Sequence, residues 1–146
     1  MLLADVNVYL YAHRRESPHH LDYRRWLEEC LGGPQPFGVS EQVLSSVVRI
    51  ATHHRVYSDP TSPADALAFC DVVRLSPAAV PIRAGERHWS IFAQLCRAAG
   101  ARGNVVPDAY LAALAIEHGA TWVTLDSGFH RFPGLRVRRP FDEDEI

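Results

Sequence analysis

The opening stretch Met1-Leu2-Leu3-Ala4-Asp5 ends an apolar run with a charged residue, and a second apolar run begins at Val8. A carboxylate between two apolar runs costs several kcal/mol unless another group compensates for its charge. The pattern predicts a buried strand at residues 2–5 and a short helix at residues 6–13. Asp5 is therefore the first candidate for a functional residue.

The rest of the chain alternates short apolar runs with longer helical patterns. Strands are predicted at residues 2–5, 37–39, 79–82 and 121–125, with a possible fifth at 135–138. Helices are predicted at residues 6–13, 17–31, 40–53, 62–75, 86–99 and 107–118, with Ser17, Ser40 and Ser62 as N-caps. Strands that alternate with helices of this length favour an α/β fold with a mostly parallel sheet of four to five strands.

Size and composition indicate one domain. The chain has 146 residues, of which 47% are hydrophobic, so we expect a single domain at residues 1–141 followed by an acidic tail at residues 142–146. No apolar run approaches the roughly 20 residues that span a bilayer. Because no secretion signal is seen at the N-terminus either, we expect a cytoplasmic protein without a membrane partner.

The basic residues are all arginine, since the chain contains no lysine. Outside the acidic tail the basic residues outnumber the acidic ones, although the whole chain carries a formal charge of −2. Arginine forms bidentate contacts with phosphates and stacks on bases, which suits an RNA partner. A compositional bias of the genome explains the absence of lysine equally well.

Three further acids, Glu41, Asp108 and Asp126, stand like Asp5 at the edges of apolar segments. Ligands of open parallel sheets bind beyond the C-terminal ends of the strands, where Asp5 and Asp126 are expected. Helical spacing predicts that Glu41 and Asp108 lie on inward-facing stripes. The four carboxylates are therefore predicted to share one anionic site. Taken one at a time, Glu41 and Asp108 are also ordinary first-turn acids that the helix dipole favours.

Repulsion between the carboxylates means that a site of this kind requires bound protons or a cation. Two carboxylates about 4 Å apart repel by roughly 4 kcal/mol at an effective dielectric constant of 20. Either some carboxylates take up protons or a divalent cation neutralises them. Mg²⁺, or alternatively Mn²⁺, is the expected cofactor because both prefer oxygen ligands.

Four motifs in this order resemble those of PIN domains, and the spacing and length are similar to VapC-type toxins of bacterial toxin–antitoxin pairs. The motifs are Leu2-Leu3-Ala4-Asp5-Val6-Asn7-Val8, Ser40-Glu41, Asn104-Val105-Val106-Pro107-Asp108, and Thr124-Leu125-Asp126-Ser127-Gly128-Phe129. The resemblance implies a three-layer α/β/α sandwich and a homodimer. It also implies a metal-dependent endoribonuclease that a VapB-type antitoxin inhibits.

The resemblance also implies roles for individual residues. Asp5 and Asp108 would be metal ligands, and Asp126 a further ligand, direct or through water. Glu41 would hold or deprotonate the attacking water, and Asn7 would act from the second shell. Many PIN domains carry another acid where this chain has Gly128, which bears on a second metal position but not on the four acids.

Phosphodiester hydrolysis is the expected reaction, with RNA as substrate. Candidate phosphate contacts are Arg14 and Arg15, at the end of the first predicted helix, and Arg131, which follows Asp126. Arg136, Arg138 and Arg139 are weaker candidates of the same kind.

Other metal-dependent or nucleotide-binding classes fit less well. A receiver-type phosphoacceptor needs a lysine, a haloacid-dehalogenase-like phosphatase needs an acid in place of Asn7, and neither glycine-rich nucleotide motif occurs. One alternative from another class stays open: a catalytically silent module of the same fold that acts through a protein partner. Mg²⁺-dependent cleavage of short single-stranded RNA would separate the two.

Overall fold

Strand β1 (Leu2–Ala4) lies in the middle of a parallel, five-stranded sheet in the computed structural model, which describes residues 1–141. The other strands are β2 (Phe37–Val39), β3 (Ala79–Pro81), β4 (Thr121–Val123) and β5 (Val137–Arg138). Their order across the sheet is β3-β2-β1-β4-β5, and every neighbouring pair is parallel. The predicted parallel α/β fold is confirmed. The predicted acidic tail lies outside the described residues.

Six α-helices cover the sheet: α1 (Val6–His13), α2 (His20–Gly32), α3 (Glu41–Ala51), α4 (Pro63–Arg74), α5 (His88–Ala99) and α6 (Val105–Glu117). Helices α1 to α4 pack against one another, and α5 packs on α6. The chain crosses from β1 to β2 to β3 in one direction and returns to β4 in the other. Since parallel crossovers are right-handed, the two helix groups lie on opposite faces. This is the predicted three-layer α/β/α sandwich.

The core includes the pair of central strands β1 and β4. Leu3, Trp122 and Val123 are fully buried, as expected for central strands of a parallel sheet. Alanines fill the inner face of α6, namely Ala109, Ala112, Ala113 and Ala115, and small side chains let this helix lie close to the sheet. None of the described helices is long and apolar enough to span a membrane.

Several helix ends follow the predicted chemistry. The Ser40 hydroxyl accepts a hydrogen bond from the Val43 N–H, and the Ser62 hydroxyl accepts one from the Asp65 N–H. Gly100 ends α5 with φ 57°, a left-handed conformation that glycine adopts without a steric penalty.

Two other helix starts were predicted wrongly. Ser17 is not an N-cap, because α2 begins at His20, after His19 with φ 54° and no side-chain cap. Helix α6 begins at Val105, two residues before Pro107. Proline fits there because the first N–H groups of a helix have no intrahelical partner.

A change in the direction of the chain defines one crevice of the sheet. From β1 the chain continues to β2 on one side, while β4 on the other side is reached only after β3. Such a switch point leaves a crevice beyond the C-terminal ends of the two central strands, here β1 and β4. The residues that follow these strands are therefore the first place to search for a functional site.

Candidate active site

Asp5 stands at the C-terminal end of β1 and is also the N-cap of α1. It is only 5% exposed. Its Oδ1 accepts a hydrogen bond of 2.7 Å from the Val6 N–H, and its Oδ2 accepts one of 2.7 Å from the Thr124 hydroxyl. The strand end and the helix start together hold this carboxylate in one orientation at the switch point.

Thr124 is a candidate functional residue that the sequence analysis did not identify. It directly follows β4 and is 2% exposed. Besides donating to Asp5, its hydroxyl oxygen accepts the Asp126 N–H at 3.0 Å. One hydroxyl therefore links the two acids that follow β1 and β4. The sequence feature that could have identified it is a hydroxyl residue near the end of a buried strand, two residues before a candidate acid.

Asn7 completes this connection from the first turn of α1. Its amide nitrogen donates to Asp5 Oδ2 and to Thr124 Oγ1, both at 3.4 Å, and its oxygen accepts the Leu125 N–H at 3.3 Å. These contacts are those of a residue that positions other groups.

Asp126 follows β4 by three residues and is exposed, whereas Asp108 belongs to the helix layer of α5 and α6. Asp126 caps an unpredicted 3₁₀ helix at Ser127–Arg131, with its Oδ1 accepting the Gly128 N–H at 2.8 Å. Asp108 lies in the first turn of α6, as predicted, and is half-buried.

Two of these acids have a raised pKa. For Asp5 the largest cause is burial, and the charges of Asp108 and Asp126 raise the pKa further, against hydrogen bonds from Thr124 and Val6 that lower it. For Asp108 burial is again the largest cause, followed by the charge of Asp126. The three aspartates therefore form one electrostatic group in which a cation would favour the ionised forms.

Glu41 does not join this group, and the prediction that it faces inward is wrong. Its side chain is 56% exposed and pairs with Arg83 at 3.1 Å and Arg74 at 3.8 Å. The buried stripe of α3 consists of Val43, Leu44, Val47 and Ala51, so a residue at the first helical position lies beside that stripe. Within residues 1–141 no three His, Cys, Asp or Glu side chains are grouped closely enough to ligate a metal by themselves.

The PIN domain family model matches residues 2–135, nearly all of the described chain. The chain belongs to the PIN-domain family. Related proteins include "VapC ribonuclease Mb2897" of Mycobacterium bovis, 46% identical over 142 residues that are 97% of each chain. "Ribonuclease VapC25" of Mycobacterium tuberculosis is 41% identical over 140 residues, 96% of this chain and 99% of the relative.

Solved structures share the fold of this PIN domain at low sequence identity. The chain resembles VapBC2 from Rickettsia felis bound to a promoter DNA fragment, with a TM-score of 0.69, 20% identity, and 94% and 97% of the two chains covered. It also resembles FitAcB from Neisseria gonorrhoeae, with a TM-score of 0.63, 20% identity, and 96% and 98% covered.

Arg14 of this PIN domain has a different place from the one predicted. Its guanidinium donates to the Asp59 carbonyl and the Thr61 hydroxyl, pairs with Glu16 and stacks on Tyr57. Its side chain is only 12% exposed. Arg14 therefore fastens the segment before α4 to the end of α1 instead of offering a phosphate contact, and it lies at the end of α1 remote from Asp5.

A groove of about 910 Å³ lies between the α1–α2 pair and α4, and none of the four candidate acids lines it. Leu27, Leu31 and Phe69 give it apolar walls, and the exposed Arg15 lies at its edge. Arg15 thus belongs to the groove and not to the acidic crevice. Of the three predicted phosphate contacts, Arg131 is the one placed beside the aspartates, where its charge lowers the pKa of Asp108.

Proposed function

We propose that this PIN-domain protein is a metal-dependent endoribonuclease and the toxin component of a type II toxin–antitoxin pair. The observation that carries the proposal is the buried carboxylate of Asp5, held at the switch point beside the charges of Asp108 and Asp126. Relatives of nearly the same length that are named VapC ribonucleases support the reaction class.

The donor set of the crevice suits Mg²⁺ or Mn²⁺. Mg²⁺ is commonly held by one or two carboxylates together with waters and substrate phosphate, so it does not need three protein ligands grouped in advance. Asp5 and Asp108 are the proposed direct ligands, and Asp126 is a third ligand, direct or through water. A bound divalent ion would polarise a phosphoryl oxygen and lower the pKa of a bound water.

Other residues of the crevice position Asp5, the attacking water and the RNA phosphate. Thr124 and Asn7 hold Asp5 in place through the hydrogen bonds described above. Asp126 orients the attacking water, the role that the resemblance implied for Glu41. Because Glu41 is exposed and paired with two arginines, we assign that role to Asp126 alone. Arg131 is the proposed phosphate contact.

The test is Mg²⁺-dependent cleavage of short single-stranded RNA by the purified protein. Wild type should cleave, while chelator, Asp5→Ala and Asp108→Asn should each abolish the activity. Mapping RNA 5′ ends in cells that express the protein would identify the target, with Asp5→Ala as the control. Cleavage that survives all three treatments would remove the aspartates from the mechanism, and a wild type inactive with Mg²⁺ and Mn²⁺ would favour the silent binding module.

We further propose that a VapB-type antitoxin segment occupies the groove between α1–α2 and α4. Structural neighbours of the chain include a toxin–antitoxin complex from Klebsiella pneumoniae. The groove combines apolar walls with charged edges that include Arg15, Arg24 and Glu28, a surface suited to an amphipathic helix.

Helix α4 offers a matched pair of variants for this proposal. Val72 lines the groove, whereas Leu75 directly follows α4 and does not line it, and both are exposed, at 68% and 76%. Val72→Glu should weaken binding of the cognate antitoxin in a pull-down by about tenfold or more, and Leu75→Glu should leave it unchanged. Equal binding by both variants would move the antitoxin to another surface.

A homodimer is the remaining part of the proposal. Trp89 on α5 is 70% exposed and packs against Phe92. Together the two side chains present a large apolar surface outside the groove. Sedimentation of the purified protein should give the mass of two chains, and Trp89→Ser should shift it toward one.

A further inference from the structure

Arg131 ends the 3₁₀ helix that Asp126 caps. Its Nε donates a hydrogen bond of 2.7 Å to the Gly128 carbonyl. This bond folds the side chain back over the turn that begins at Asp126, so the guanidinium is held near the acidic crevice although the residue is exposed.

Gly128 leaves the space in which the guanidinium lies. A Cβ at this position would be 2.9 Å from Asp126 Oδ1 and 3.0 Å from Arg131 Nη2. The backbone of Gly128 does not have positive φ, so space and not conformation is what the glycine provides. Asp126 Oδ1 and Arg131 Nη2 would both contact the same added Cβ, so the guanidinium lies close to the Asp126 carboxylate.

The charge of Arg131 affects the acidic crevice although its guanidinium is not held there in an ion pair. It lowers the pKa of Asp108, against the effect of Asp126. Among the ion pairs of residues 1–141, none includes Arg131. One cation thus offsets the repulsion of two aspartates while it stays accessible to an anion from solution.

We propose that Arg131 is a built-in counter-cation of the acidic crevice, which weakens uptake of a divalent ion in the free protein and turns to an RNA phosphate when RNA binds. The inference rests on the proposed nuclease function. It implies that metal and RNA bind cooperatively, because the phosphate removes the positive charge that opposes the metal. Linkage then requires the metal to strengthen RNA binding by the same factor.

The first test is a Mn²⁺ titration followed by electron paramagnetic resonance, without RNA. Arg131→Gln should bind Mn²⁺ about three- to tenfold more tightly than wild type, as expected for removing a unit charge several ångströms from a divalent ion in a partly solvated site. Arg131→Lys, which keeps the charge, should stay closer to wild type. Equal affinity of Arg131→Gln and wild type overturns the inference.

Arg136→Gln is the matched control. It removes the same charge from an exposed arginine whose guanidinium donates to the Gly119 carbonyl, before β4 and so at the opposite edge of the sheet. Its Mn²⁺ affinity should stay within about twofold of wild type. An equal gain in both variants would reduce the effect to net charge and overturn the specific role of Arg131.

The second test measures binding of a random-sequence 2′-O-methyl octanucleotide, with its intact length checked after the measurement because attack by water does not require a 2′-hydroxyl. Saturating Mn²⁺ should tighten its binding to wild type by several-fold more than its binding to Arg131→Gln. An equal metal effect in both proteins contradicts the coupling.

Asp108→Asn distinguishes failure of the counter-cation proposal from failure of the proposed metal-dependent function. If wild type binds Mn²⁺, Asp108→Asn loses it and Arg131→Gln changes nothing, the counter-cation alone is rejected. If wild type fails to bind Mn²⁺, or binds it independently of Asp108, the proposed metal-dependent function falls as well.

Discussion

Asp5 and Glu41 occupy comparable places in the chain and very different places in the molecule. Asp5 directly follows β1, and Glu41 follows β2 by two residues at the same end of the sheet. Asp5 is 5% exposed and held by the Thr124 hydroxyl and the Val6 N–H. Glu41 has a side chain that is 56% exposed and paired with two arginines.

The difference follows from the topology. Asp5 lies between β1 and β4, where the chain changes direction across the sheet, whereas β2 lies between β1 and β3 on the side where the direction is constant. The switch-point crevice lies beyond β1 and β4, whereas Glu41 lines a separate small pocket of about 70 Å³ together with Arg74 and Arg83. The acid outside the crevice forms ion pairs with two arginines, whereas none of the ion pairs within residues 1–141 includes Asp5, Asp108 or Asp126.

Amide substitution should separate the two acids by their contribution to RNA cleavage. Asp5→Asn should lower kcat/KM for RNA cleavage by more than about 100-fold, because the proposed metal loses a ligand whose oxygens the fold already orients. Glu41→Gln should lower it by less than about threefold, since screened surface charges have small effects. Cleavage assays of both variants with saturating Mg²⁺ check the pair. A larger loss in Glu41→Gln would return Glu41 to the mechanism.

A second prediction concerns the link between β1 and β4. Thr124→Val keeps the volume but removes the donor to Asp5 and the acceptor for the Asp126 N–H, so kcat/KM should fall by about 10- to 100-fold. Loss of these buried hydrogen bonds should also lower the free energy of unfolding by about 1–3 kcal/mol. Thr124→Ser keeps the hydroxyl and should recover most of the activity. Wild-type cleavage by Thr124→Val would show that Asp5 needs no such support.

A third prediction concerns stability, pH and metal. Because the folded-state pKa values of Asp5 and Asp108 lie above the ordinary value of 3.8, the folded state keeps these protons to higher pH than the unfolded state does. These two groups therefore make the metal-free protein less stable as pH rises from 3.8 through the raised pKa values.

Melting temperatures with and without Mg²⁺ test this balance. At about ten times its dissociation constant, Mg²⁺ should raise Tm at pH 7 by about 4–5 °C. Asp108→Asn should melt no lower than wild type without metal, because it removes a repelling charge, and should lose the Mg²⁺ effect. A marked drop in Tm for metal-free Asp108→Asn would make Asp108 a structural capping residue instead.

How far the sequence predicted this molecule depends on whether the signal is local. The strands to within a few residues at their ends, the Ser40 and Ser62 caps and the position of Asp5 after β1 follow from neighbouring residues, whereas β4 ends at Val123, three residues before Asp126. The orientation of Glu41 does not, because it depends on Arg83, 42 residues away. Arg14 was misplaced for the same reason, since its partners Asp59 and Thr61 lie 45 and 47 residues away.

Thr124 shows a further limit. A threonine in a strand gives the same sequence signal whether its hydroxyl faces a neighbouring acid or a backbone carbonyl. What decides its role is the pairing of β1 with β4, which places Ala4 opposite Val123 and thus Thr124 beside Asp5. Strand order across the sheet has no local signal in this chain, so the contact becomes visible only with the fold.

The smallest expected effect tests whether the ion pairs of Glu41 matter for the crevice at all. Glu41 and Arg83 are both exposed, at 56% and 77% of their side chains, so the pair should contribute no more than about 1 kcal/mol to the free energy of unfolding. A double-mutant cycle of Glu41→Gln and Arg83→Gln, measured by urea denaturation, gives this coupling directly. Mn²⁺ affinity should be the same in all four proteins, because the pair lies outside the crevice. A coupling well above 1 kcal/mol, or an altered Mn²⁺ affinity, would link the Glu41–Arg83 pair to the aspartates of the crevice. The β2 side of the sheet would then be part of the site.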